Sequence, residues 1–154
     1  LESMGLLDKK DFNKIWDDKQ KNTKEAIEHF AKIDNQKIQM HKYLISQGYN
    51  IACVTNSIRE TANLMLKKTG QLELMKFIIT NEDVNEPKPS SECYEKAMEM
   101  LGCNPENTLI IEDSEKGYQA AINSKAFVLK VANCAEVNIE NILKKIQSIK
   151  DKNL

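Results

Sequence analysis

The stretch TLIIEDSEKGYQAA, residues 108–121, decides the fold. Thr108, Leu109, Ile110 and Ile111 form a short apolar run with the β-branched content of a buried strand. The run passes directly into two acids, Glu112 and Asp113, then into Ser114, Gly117 and a small-residue helix. A strand that ends on two carboxylates costs little where a cation meets them. A cation-binding strand end is therefore one expectation; simple capping of the next helix is the other.

The same strand-then-helix alternation repeats on both sides. Upstream, NIACVT (50–55) reads as a strand and NSIRETANLMLKKTG as a helix, with Ser57 and Glu60 spaced as a capping box and Gly70 as its stop. KFIIT (76–80) is a second strand, and the polar loop NEDVNEPKPSSE is punctuated by Pro87 and Pro89. SSECYEKAMEMLG is a helix that stops at Gly102. Downstream, AFVLKV (126–131) is a fourth strand, and EVNIENILKKIQSIK closes the chain with a stripe of Ile139, Ile142, Leu143, Ile146 and Ile149. Asp34 caps a helix that carries Ile38, Met40, Leu44 and Ile45 inward and stops at Gly48. Before it, helical spacing sets Phe12, Ile15, Trp16, Ile27, Phe30 and Ile33 on one face. Strands alternating with helices of this length predict right-handed crossovers and an α/β fold with a doubly wound parallel sheet.

Composition narrows the function classes. The 154 residues suffice for one domain with a real core. Hydrophobic residues at 41% and charged residues at 29% are those of a soluble globular chain. A formal net charge of -1 without a basic block argues against a nucleic-acid partner. No apolar run approaches the ~20 residues of a membrane-crossing helix, and no signal-peptide pattern is present. Cys53, Cys93, Cys103 and Cys134 are scattered, which predicts reduced, mostly buried thiols in a cytoplasmic protein.

In a parallel sheet, ligands bind beyond the carboxyl ends of the strands. The first strand delivers Thr55, Asn56 and Ser57 there, the second delivers the loop with Lys88, and the third delivers Glu112 and Asp113. Thr55 and the free N–H groups opening the next helix suit an anion. Lys88 adds the charge a phosphoryl group needs, and Asp113 with Glu112 is a hard oxygen set suited to Mg²⁺. Gly117 permits a close approach of the chain near that loop, or eases the helix start. Singly, each has an ordinary reading: Thr55 as a cap, Lys88 as a solvated loop lysine, the two acids as helix caps.

CVTNS, EPKPSSECY and LIIEDSEKGYQAA together resemble the second, third and fourth motifs of the haloacid dehalogenase-like (HAD) phosphohydrolases, in the branch of β-phosphoglucomutase and phosphoglycolate phosphatase. The resemblance covers about residues 34–149. It implies a Rossmann-like core over 34–154 and a remnant of a helical cap over 1–33. It implies Thr55 as the phosphate-binding hydroxyl with the Asn56 N–H beside it, Lys88 as the lysine steadying nucleophile and phosphoryl group, and Asp113, next to Glu112, as the Mg²⁺ ligand. The implied activity is a Mg²⁺-dependent phosphatase or phosphomutase acting on a small phosphorylated metabolite, a sugar phosphate first.

One departure is large. The family's first motif, Asp-x-Asp-x-Thr at the end of an apolar first strand, has no counterpart before Thr55. WDDKQ lacks a preceding apolar strand, and the acids of LLDKKDF lie three apart in a polar stretch. The expectation is a chain that begins inside the cap, without the nucleophilic Asp, and is inactive alone. The absent strand is central in the family's sheet. Its loss predicts a rearranged sheet, a homo-oligomer or strand exchange, or a neighbouring strand closing the gap. A second departure is NSKAF (123–127), where the family has an Ala-Gly pair. The competing class is a non-catalytic phosphate- or partner-binding module of the same fold. A receiver-like domain fails for want of its acidic pair and phosphoacceptor.

His29 and His41 are expected on helices without ligand roles. Trp16 and Phe30 are expected to pack helices, and Arg59 to face solvent. Asn81, Glu82 and Asp83 are expected to be turn residues, and Met65, Met98 and Met100 core filler.

Overall fold

The computed structural model describes residues 9–152. Helix α1 (Lys9–Phe30) and helix α2 (Asn35–Ser46) precede strand β1 (Cys53–Val54) and helix α3 (Arg59–Lys68). Strand β2 (Ile78–Ile79), helix α4 (Glu92–Leu101), strand β3 (Leu109–Glu112) and helix α5 (Glu115–Asn123) follow, then strand β4 (Phe127–Lys130) and helix α6 (Ile139–Lys152). The class is α/β with parallel strands, as the alternation predicts. The sheet differs from the expectation in one respect: β1 pairs only with β2, and β3 only with β4, as two separate parallel pairs among the described residues.

Alternation along the strands builds two cores. Ile79 and Ile110 join Cys93, Tyr94 and Ala97 of α4 and Ala120 and Ala121 of α5. Leu109, Ile111 and Leu129 pack with Met40 and Leu44 of α2 and Ile142 of α6. Successive residues of β3 thus feed opposite helix layers, which is the period-two logic of a strand covered on both faces.

Several helix ends behave as the sequence predicts. The Asp34 carboxylate accepts from the Lys37 N–H at 3.0 Å. Gly48, Gly70 and Gly102 all take positive φ. The capping box at Ser57 and Glu60 does not form: α3 opens at Arg59, and Ile58 in the cap position offers no side-chain acceptor. Ser57 instead donates its N–H to the Thr55 hydroxyl at 3.1 Å, which draws it into the strand-end turn. The capping box sits at Thr80 and Asp83, where the turn residues Asn81–Asp83 form a short 3-10 helix.

The predicted apolar face of α1 is only partly buried. Ile27 is buried, while Phe12, Ile15, Trp16, Phe30 and Ile33 are exposed, so Trp16 and Phe30 do not bind helices together. Helix α1 lies along α3 and is tied to it by the ion pairs Lys24–Glu60 and Lys68–Glu28. One neighbouring helix covers only part of a stripe that wide. Met98 is core, as expected, but Met65 and Met100 are exposed. Ile45 and Leu143 are also exposed on their helices.

In the second departure segment, Lys125 adopts φ 64°, a left-handed conformation. A β-carbon there costs about 1 kcal/mol, which glycine avoids. Lys125→Gly is expected to raise stability by at most roughly 0.6 kcal/mol in urea melts, net of glycine's greater unfolded-state freedom. A loss of stability would show that the lysine side chain holds the turn.

Candidate active site

Two tight loops bring the predicted residues together. After β1, Thr55 donates its N–H to the Ile79 carbonyl at 2.9 Å, which fixes the strand end against β2. The Asn56 side chain then grips the backbone of Lys88 from both sides: its Oδ1 accepts from the Lys88 N–H at 3.2 Å, and its Nδ2 donates to the Lys88 carbonyl at 3.3 Å. The Lys88–Pro89 peptide is cis. The Asn56 carboxamide staples the loop after β2 to the loop after β1.

Lys88 is not a solvated loop lysine; it is 8% exposed. Its ammonium donates to the Val54 carbonyl at 3.1 Å and to the Glu112 carboxylate, so it joins the carboxyl ends of β1 and β3. Glu112 is buried as deeply, at 7%. Its carboxylate also accepts from the Tyr94 hydroxyl and from the Ser114 hydroxyl at 3.2 Å. The Lys88 ammonium lies 4.8 Å from the centre of the Tyr94 ring. Ser114 caps α5 by accepting from the Gly117 N–H at 3.0 Å. Gly117 leaves the space the carboxylate fills: a β-carbon there would stand 2.0 Å from Glu112 Oε2. Of the two readings of Gly117, close approach is the one the structure shows.

Electrostatics follow from this packing. Burial pushes the Glu112 carboxyl up, but hydrogen bonds from Lys88 and Tyr94 and the Lys88 charge outweigh it, and the balance lies below the ordinary glutamate value. Burial, reinforced by the hydrogen bond and charge of Glu112, drives the Tyr94 phenol upward, so it stays protonated and donates. Burial raises the thiols of Cys53 and Cys93, with Lys88 opposing it in both.

Asn56, Lys88 and Glu112 therefore share one cluster; Thr55 precedes Asn56 in the same loop, and Asp113 follows Glu112 as an exposed carboxylate. The site reading missed Tyr94, which sits in a helix that reads as core. The available signal was chemical: a buried tyrosine hydroxyl needs a partner. It also missed the Asn56 side-chain staple. Arg59 does not simply face solvent; it pairs with Asp83 and reaches the Ile78 carbonyl at 3.4 Å. His29 stays on the surface, bonded to the Glu25 carbonyl at 2.9 Å. His41 has a buried Nδ1 without a hydrogen-bond partner, and burial, with Lys37 nearby, lowers its pKa.

The Mg²⁺ that the resemblance implies can be tested against these donors. No group of three or more metal-capable side chains occurs among the described residues. Glu112 is committed to Lys88, Tyr94 and Ser114. Asp113 remains as one exposed hard-oxygen donor. One protein carboxylate completed by waters and a phosphate oxygen is an ordinary Mg²⁺ arrangement, so the donor set fits.

Comparison with known proteins decides the family. The model for haloacid dehalogenase-like hydrolases matches residues 2–131. The chain belongs to that family. A pyrophosphatase PpaX from Halalkalibacterium halodurans is 42% identical over 73 residues, which is 47% of this chain and 34% of the relative. A PpaX from Bacillus velezensis is 34% identical over 77 residues, 50% of this chain and 36% of that protein. The chain thus spans about a third of the length of the curated relatives it matches. Among solved structures, a HAD hydrolase of family IA, variant 3, from Entamoeba histolytica superposes with TM-score 0.72 at 20% identity, over 90% of this chain and 62% of that one. A HAD family hydrolase from Deinococcus radiodurans with bound phosphate and sodium gives TM-score 0.61 at 24% identity, over 74% and 51% of the two chains. These likenesses establish a HAD-type α/β fold. No helix among the described residues is long and apolar enough to cross a membrane.

Proposed function

We propose that the rim formed by Thr55, Asn56, Lys88 and Asp113 is the phosphoryl-binding half of a Mg²⁺-dependent phosphatase or phosphomutase for a small phosphorylated metabolite, a sugar phosphate first. The observation that carries this reading is the position of Lys88, a buried cation at the carboxyl ends of β1 and β3. The start of α3 adds N–H groups without a side-chain cap, close to the Thr55 hydroxyl. The relative from Deinococcus radiodurans, whose structure holds phosphate, supports the ligand class. Asp113 would hold Mg²⁺, whose role when bound is to neutralise phosphate charge, while the neighbouring Glu112 stays engaged by Lys88, Tyr94 and Ser114. Four free thiols accord with a cytoplasmic, reducing location.

Turnover needs a carboxylate free to attack phosphorus. The carboxylate that Lys88 holds is Glu112, and it is engaged by Tyr94 and Ser114 as well. Residues 9–152 alone are therefore expected to bind a phosphate ester without hydrolysing it. That engagement also favours the second reading, a non-catalytic phosphate- or partner-binding module.

Binding is measured by Mn²⁺ electron paramagnetic resonance, with and without inorganic phosphate. Asp113→Asn should weaken Mn²⁺ by at least the roughly tenfold that loss of an outer-shell partner costs elsewhere, with the melting temperature unchanged. Undiminished Mn²⁺ binding would remove Asp113 from the site. Hydrolysis of para-nitrophenyl phosphate by this chain, abolished by Lys88→Ala, would overturn the account of the missing nucleophile.

A further inference from the structure

The loop from Asn85 to Glu92 is short, polar and built around Lys88. Each backbone N–H in it must find protein or water. Pro87 and Pro89 have no N–H to place. The Lys88 N–H goes to Asn56 Oδ1 at 3.2 Å, and the Ser90 N–H goes to the Pro87 carbonyl at 3.1 Å. The other two donors between Asn85 and Ser90 go to one carboxylate. Glu92 Oε1 accepts from the Asn85 N–H at 2.8 Å and from Asn85 Nδ2 at 3.3 Å, and its Oε2 accepts from the Glu86 N–H at 2.8 Å. The loop thus gives every backbone donor from Asn85 to Ser90 to protein.

Glu92 is the first residue of α4. An acid there ordinarily serves the open N–H groups of its own helix. This one reaches back along the chain to the loop instead. Hydrogen bonds from the Asn85 and Glu86 backbone hold its carboxyl below the ordinary glutamate value. It is therefore ionised at neutral pH, and its bonds are of the stronger, charge-assisted kind. Lys96, one turn further along α4, donates to the Asp83 carbonyl at 2.5 Å and ties the approach to the loop to the same helix. Helix α4 also meets the far end of Lys88. Tyr94 sets its ring 4.8 Å from the ammonium and gives its hydroxyl to Glu112, which accepts from that ammonium too. One helix supports the Lys88 loop through Glu92 and the Lys88 ammonium through Tyr94.

We propose that Glu92 is a positioning residue for Lys88: its carboxylate clamps the loop to α4 and so sets where the ammonium is presented to a phosphoryl group. Asn56 holds the same loop from the β1 side, at Lys88 itself. Glu92 holds it from the α4 side, at the two residues before Pro87. Without that carboxylate, the Asn85 and Glu86 N–H groups turn to water, and the segment leading into Lys88 is anchored on one side only. A small displacement of a group that meets the reacting phosphoryl is costly. The consequence for ligand binding rests on the phosphoryl reading; the clamp itself does not.

Amide exchange and phosphate binding test this together. In Glu92→Ala, exchange at Lys88 and Ser90 should quicken at least roughly tenfold, the factor that one charge-assisted hydrogen bond is worth, although Glu92 bonds to neither amide. Binding of inorganic phosphate in the presence of Mg²⁺, read by calorimetry, should weaken by a comparable factor. Glu92→Gln keeps one acceptor oxygen and should fall between the parent and Glu92→Ala in both readouts. Glu95→Ala is the control for α4. It removes the other acid of the first turn, whose carboxylate meets the Ser91 hydroxyl at 2.6 Å. It should leave both readouts at parental values even where it lowers the melting temperature. Parental exchange at Lys88 in Glu92→Ala, equal loosening by Glu95→Ala, or undiminished phosphate binding by a loosened loop would each overturn the inference. A parent protein that binds no phosphate would instead remove the phosphoryl reading, and the exchange rates would still decide the clamp.

Discussion

Lys88→Ala is expected to cost about 3–5 kcal/mol in equilibrium urea unfolding, because it strands the buried Glu112 carboxylate. Lys88 and Glu112 are 8% and 7% exposed, so water cannot replace the lost partner. A loss of that size is a large share of the ~5–15 kcal/mol that holds a typical domain together. Lys88→Met with Glu112→Leu should recover part of it, since no buried charge is left unpaired; the Tyr94 hydroxyl and the Val54 carbonyl still lose their partners. The acid limb carries the same information. Glu112 titrates lower in the folded chain than in the unfolded one, so its contribution is full above the unfolded glutamate pKa. It fades as pH falls from there through the folded value. Lys88→Ala removes the main cause of that depression and leaves burial, which acts the other way. The variant should therefore gain stability relative to the parent as pH falls through the ordinary glutamate range, where the parent loses the Glu112 contribution and the variant sheds a buried charge. A cost under about 1 kcal/mol would mean that the two groups are solvated, as surface pairs are.

Gly117→Ala is the second large effect, and its sign is opposite to the usual one. Glycine inside a helix normally costs ~1 kcal/mol against alanine. Here the new β-carbon would meet the Glu112 carboxylate at 2.0 Å from Oε2 and 2.1 Å from its carbon. That carboxylate is held by Lys88, Tyr94 and Ser114, so it has no easy direction of retreat. A net loss of about 2–4 kcal/mol is expected, the size of a broken buried pair offset by the gain in propensity. In a Glu112→Ala background the same change should become neutral or stabilising, and the coupling is read from the double-mutant cycle. Equal costs in both backgrounds would place the strain elsewhere.

Much of the site was legible because strand ends are. Apolar runs marked by Ile79 and Ile110 located the strands, and polar residues following them located the rim. Partnerships at the rim were harder to read. Glu112 and Asp113 are neighbours in sequence but take opposite environments, one buried against Lys88 and one exposed. Strand alternation sends adjacent residues to opposite sides, and only packing shows which side holds a cation. Tyr94 was hidden because a helix tyrosine at core spacing carries no mark of its hydroxyl's target. The exposed face of α1 shows the limit of periodicity, which reports an apolar stripe and not whether anything covers it. The failed Ser57 box has a local cause: Thr55 competes successfully for the Ser57 amide.

The Asn56 side chain meets both backbone groups of Lys88, as the edge of an adjacent strand would. This yokes the loop bearing the hydroxyl to the loop bearing the ammonium, so neither drifts without the other. One carboxamide thus acts as the gauge between the two loop backbones, and losing it would unhitch one loop from the other.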